Sequence, residues 1–98
     1  MSEIDEAVRT IEATGNKDLV LMQCITNYPS KIESANVNVL KTDQSAFDVL
    51  TGYSDHAPGH VVALASVVIG GRVIEKHFTL NKTDKGPDHP HSMEPQEF

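Results

Sequence analysis

A single cysteine, Cys24, stands among 98 residues, so no internal disulfide can form, which fits a reducing compartment. Basic residues are also few. Eight Lys and Arg against fourteen Asp and Glu leave a formal charge of −6, and the eight are scattered. A nucleic-acid footprint needs clustered cations, so that class is excluded. No apolar stretch approaches the roughly 20 residues of a membrane span. The N-terminus, MSEIDEAVR, is acidic and lacks the basic region and apolar core of a signal peptide. The expectation is a soluble cytoplasmic protein without nucleic-acid or membrane partners. What is present is globular in character, with 39% hydrophobic and 22% charged residues. The length allows one domain at most, with a core that buries only about two thirds of the extended surface.

Ile4, Ala7, Val8 and Ile11 follow the spacing of one helix face, which predicts a helix over 2–14 with Ser2 as N-cap and Gly15 as stop. Leu19 to Cys24 is a short apolar run, the pattern of a strand buried on both faces. A second helix is predicted from about Asn36 to Phe47, with Val37, Leu40 and Phe47 inward. Val49 to Tyr53 reads as a strand. His60 to Ile69 is rich in Val, but its length and the Gly70-Gly71 stop favour a helix. Arg72 to Glu75 makes a third strand, and after Leu80 the chain reads as loop. Such alternation predicts a parallel sheet with right-handed crossovers, hence an α/β fold. Three parallel strands alone leave two open edges. The pattern therefore reads as a piece of a larger α/β fold.

Three polar clusters each follow an apolar run: CITNY at 24–28, GYSDH at 52–56 and EKH at 75–77. Parallel strands deliver their last residues to one rim, where active sites of such sheets lie. GYSDH by itself is as readily a polar turn as a site. In EKHFT, Glu75, Lys76 and His77 interrupt an apolar strand, and charge at that depth must be paired, solvated or metal-bound. Two imidazoles, His56 and His77, with oxygen ligands suit Mn²⁺, Fe²⁺, Co²⁺ or Zn²⁺. Two protein ligands leave coordination positions open, as a catalytic metal requires. His60 reads instead as a helix-start residue, and His89 and His91 as solvated loop histidines. Cys24, in an apolar strand without an evident base, reads as a structural thiol. The hydroxyl, amide and phenol groups of CITNYPS suit the orientation of a polyhydroxylated or phosphorylated ligand. Asp88, after the rigid Gly86-Pro87 turn, could aim a carboxylate back at the rim.

Together, CITNYPS, GYSDH, IEKHFTL and GPDH…SMEPQEF resemble the N-acetylneuraminate (sialic acid) synthase family, whose relatives include legionaminic and pseudaminic acid synthases and spore-coat polysaccharide proteins. The resemblance runs through nearly the whole chain in order. It implies a (β/α)₈ TIM barrel followed by an antifreeze-like domain, of which this chain would be the stretch from the fifth barrel helix through the eighth strand and its loop. The antifreeze-like domain would be absent and the barrel incomplete, with about three β/α units. The implied reaction condenses phosphoenolpyruvate with an open-chain N-acetylated amino sugar, such as N-acetylmannosamine, to a nonulosonic acid with release of phosphate. A divalent metal, typically Mn²⁺ with Mg²⁺ or Co²⁺ as alternatives, would hold the sugar aldehyde. Carried over by motif, His56 and His77 would be the metal ligands, with Glu75 close to the metal or its water. Ser54, catalytic with Glu75, would bind phosphoenolpyruvate together with Thr26 or Asn27, while Tyr28 and Asp88 would contact the sugar.

The family's phosphate-binding lysines, its acidic water-activating group and an arginine from the partner subunit fall outside the matched stretch. A (β/α)₈ barrel takes about 250 residues, so the chain alone is expected to be inactive. The full-length family implies a homodimer. Two other readings remain at this level. One is a non-catalytic metal- or ligand-binding α/β module that self-associates through its open edges. The other is a flavodoxin-like or response-regulator-like domain, against which stands the lack of a phosphate-cradling glycine loop.

Overall fold

The computed structural model describes residues 1–98. Helices at Ser2–Ala13 (α1), Val39–Phe47 (α2) and Val61–Val68 (α3) alternate with strands at Val20–Cys24 (β1), Leu50–Asp55 (β2) and Val73–Lys76 (β3). The strands form one parallel sheet in the order β1-β2-β3. This is the α/β arrangement that the alternation predicts. No helix is long and apolar enough to cross a membrane.

The boundaries differ from the sequence reading for local reasons. Ser2 is not the N-cap of α1. It already has helical backbone, so the Asp5 N–H reaches the Met1 carbonyl at 2.9 Å and Met1 takes the cap position without a side-chain bond. Only Val8 of the expected inward face is buried, and Ala7 is exposed. The second helix starts at Val39 rather than Asn36, because Asn36 sits at φ 47, in the left-handed region that no α-helix interior allows. A short 3₁₀ turn at Ile32–Ser34 precedes it. Asp48 ends α2 with φ 51, a position that Asn, Asp and Gly tolerate best. β2 runs to Asp55, two residues past the expected end, because Ser54 and Asp55 find ladder partners in Glu75 and Lys76.

Alternation along the strands sorts side chains onto two faces. On β2, Thr51, Tyr53 and Asp55 face the helices, and each is about 1% exposed. Tyr53 joins Ala35, Leu40, Ala57 and Val62 in the core. Gln44 of α2 ties the layers by donating to Thr51 Oγ1 at 2.7 Å and to the Gly70 carbonyl at 3.0 Å. The other face of β2, with Gly52 and Ser54, carries the rim. β1 is not buried on both faces as its composition suggests: Val20 is exposed and the rest are half-buried. Large apolar side chains also stay exposed along α3 and beyond β3, among them Val68 at 84% and Leu80 at 77%. The tail after β3 is loop apart from a 3₁₀ turn at His89–His91, and it is pinned by a parallel bridge between Phe78 and Met93.

Tyr53 gives this core a pH limit. Its hydroxyl donates to the Ala35 carbonyl at 2.7 Å, and that oxygen cannot bond a phenolate. Burial first, then the negative charge of Asp55 and Cys24, push the phenol up to about 12. The folded pKa lies above the unfolded one, so the contribution is complete below about pH 10 and is lost as pH rises toward about 12. The expected loss across that window is about 2–3 kcal/mol. Urea midpoints measured against pH should fall there in the native chain, and Tyr53→Phe should flatten the fall.

Candidate functional site at the strand ends

Register builds the site in rows. Cys24 pairs with Ser54, and Ser54 with Glu75, so three polar side chains lie side by side across the sheet. Ser54 donates to Glu75 Oε1 at 2.5 Å, a short bond of the kind a charged acceptor makes. Two residues further on, the same face carries His56 and His77. Their ring centres are 5.3 Å apart, with planes at 84°. The two imidazoles therefore share one space at the C-terminal rim.

Tyr28 closes one side of that space. It stacks on His77 with ring centres 4.2 Å apart and meets His56 edge-on at 5.2 Å. The Ser30 N–H donates to the His56 carbonyl at 2.8 Å, which ties the loop after β1 to the end of β2. Asp88 arrives from the tail. Its Oδ2 is 3.9 Å from His77 Nδ1, and its carbonyl accepts the Tyr28 hydroxyl at 3.3 Å. Thr26 and Asn27 lie exposed on the loop after β1. All the residues singled out by sequence thus occupy one end of the sheet, with Tyr28 and Asp88 against the histidines.

Several participants escape the sequence reading. Cys24 is half-buried beside the site, with Sγ 4.0 Å from both ring nitrogens of His56. His89 is no solvated loop residue: its Nδ1 lies 2.7 Å from Thr79 Oγ1, anchoring the tail to the segment that follows β3. His91 is exposed but packs edge-on to Tyr28, with centres 5.5 Å apart. His60 is the N-cap of α3, as its position before the helix predicts. Asp55 and Lys76 form a buried ion pair at 3.0 Å. Strand alternation puts each of them on the face opposite the rim histidine it precedes, but their pairing depends on the β2–β3 register.

No group of three or more His, Cys, Asp or Glu converges as a closed metal site. The donor set is two imidazoles of borderline softness, which suits a divalent cation that keeps positions for water or substrate. To that extent the residues fit such an ion.

The sequence model of the NeuB family matches residues 1–98. The N,N'-diacetyllegionaminic acid synthase of Campylobacter jejuni is 42% identical over 100 residues, covering all of this chain and 30% of the relative. The solved structure of the spore coat polysaccharide biosynthesis protein spsE from Bacillus subtilis superposes with a TM-score of 0.94 at 38% identity, over 99% of this chain and 28% of that one. The N-acetylneuraminic acid (sialic acid) synthetase of Leptospira borgpetersenii, solved with citrate, gives 0.91 at 35% identity, over 98% of this chain and 33% of that one. The chain thus spans about 30% of the length of the relatives it matches. Its fold is about three β/α units of the barrel those synthases form.

Proposed function

The chain belongs to the NeuB family, and we propose that it supplies the metal- and sugar-facing rim of a cytoplasmic sialic-acid-type synthase. The reaction is condensation of phosphoenolpyruvate with an N-acetylated amino sugar to a nonulosonic acid for cell-surface polysaccharide. The observation that carries the reading is the 5.3 Å approach of the His56 and His77 rings above the Ser54–Glu75 pair.

In this reading His56 and His77 hold a divalent cation, Mn²⁺ first, with Mg²⁺ or Co²⁺ as alternatives. When bound, the cation supplies Lewis-acid polarisation of the sugar aldehyde. The chain's own groups orient and hold. Tyr28, fixed by its stack on His77 and its bond to Asp88, offers an aromatic wall and a hydroxyl to the sugar. Asp88 offers its carboxylate to sugar hydroxyls. The exposed Thr26 and Asn27 offer donors to the anionic co-substrate, and Ser54 joins them by turning its single O–H away from Glu75; fixing that partner in attack geometry is worth several kcal/mol. Glu75 accepts the hydrogen bond of the Ser54 hydroxyl in the resting state and so fixes the orientation of that side chain. Groups beyond the matched stretch complete the chemistry, so the chain alone is expected to release no phosphate from phosphoenolpyruvate and N-acetylmannosamine.

Calorimetric titration with Mn²⁺ tests the reading. The native chain should bind, and His56→Ala or His77→Ala should each weaken binding by at least about tenfold, no less than outer-shell substitutions do. Equal affinity in the native chain and both variants would remove the cation site, and robust turnover by the chain alone would refute the dependence on groups outside this stretch.

A further inference from the structure

The β2–β3 ladder stops at Asp55 and Lys76, which are its last register partners. His56 and His77 lie one residue past that final rung, their carbonyls taken by the Ser30 N–H at 2.8 Å and the Met93 N–H at 2.9 Å. What links the ends there is a side-chain clamp on the opposite face. Lys76 Nζ donates to Asp55 Oδ2 at 3.0 Å and to the Ala57 carbonyl at 2.7 Å. Asp55 Oδ1 accepts the Ala57 N–H at 2.8 Å. The ammonium of β3 thus grips the residues on either side of His56. The two side chains are 5% and 0% exposed, so the clamp works without competing water.

Burying two charges costs more than burying an apolar pair of the same volume, so such a pair is a weak source of stability. Its contribution here is geometric. We propose that Asp55 and Lys76 are positioning residues that set the spacing of the His56 and His77 rings. The proposal rests on the reading of those rings as a cation site, yet it predicts ring geometry independently of any metal.

The test compares the native chain with Asp55→Asn/Lys76→Met, which replaces the charge pair by neutral groups, and with Lys76→Arg, which keeps the cation. Thermal melts establish folding. Nuclear Overhauser effects among the Tyr28, His56 and His77 rings report spacing in the metal-free chain, and calorimetry reports Mn²⁺ affinity. The folded double variant should show no His56–His77 effect and bind Mn²⁺ about tenfold more weakly, and Lys76→Arg should restore part of both. An unchanged His56–His77 effect in the folded double variant would overturn the proposal and leave the pair merely structural. Disappearance of that effect in the variant, with no Mn²⁺ bound even by the native chain, would sink the cation reading and keep the positioning role. Should the double variant fail to fold, Asp55→Asn alone, which keeps the acceptor for Ala57 N–H, decides the matter by the same two readouts.

Discussion

Gly52→Ala should unseat the fold and the rim together, with a loss of about 3 kcal/mol or more. Gly52 lies opposite Val73 in the β2–β3 ladder. A Cβ there would collide with the Val73 carbonyl oxygen and stand 2.9 Å from Val73 Cβ. The oxygen belongs to the backbone, so no rotamer change relieves the clash and the strands must part. Four residues on, His56 faces His77, and parting β2 from β3 widens the 5.3 Å ring separation. The expected signature is therefore double: a lower urea midpoint, and weaker Mn²⁺ binding by the fraction that remains folded. A variant with unchanged midpoint and affinity would show that the strands do not approach this closely.

Leu40→Ala should be nearly as costly to stability and yet leave the rim alone. Leu40 is 0% exposed, in the cluster that joins α2 to the helix-facing side of β2. Truncating a buried leucine removes transfer energy and leaves a cavity, about 2–5 kcal/mol in all. A small domain has only about 5–15 kcal/mol of stability to lose. Collapse around the gap is hindered because Gly71 is already packed tightly against the leucine: a Cβ there would stand 2.9 Å from Leu40 Cδ2. Leu40 lies on the side of β2 opposite the rim histidines, so Mn²⁺ affinity of the folded fraction should be unchanged. The urea midpoint and a titration well below it measure the two effects separately. Loss of affinity without loss of stability would contradict the placement of Leu40 in the core.

The contrast between these two positions marks what a linear reading reaches. Leu40 was legible as inward from its period on α2. The Gly52 constraint was not, because the atom that excludes a side chain belongs to Val73, on a strand met only after a crossover. His56 and His77 could be singled out as polar residues ending apolar runs. Asp55 and Lys76 beside them could not be recognised as partners, since their pairing depends on the β2–β3 register.

Sequence alone determined the alternation of helix and strand, the parallel sheet and the gathering of the polar motifs at one rim. Those features follow from local periodicity and from the rule that parallel strands end on the same side. Tertiary structure decided the rest. It placed Tyr28 against His77, brought Asp88 and His89 back from the tail, set Cys24 beside His56 and buried the Asp55–Lys76 clamp behind the rings. Each of these pairings joins residues far apart in the chain, or depends on register between strands. Only closure of the fold fixes them.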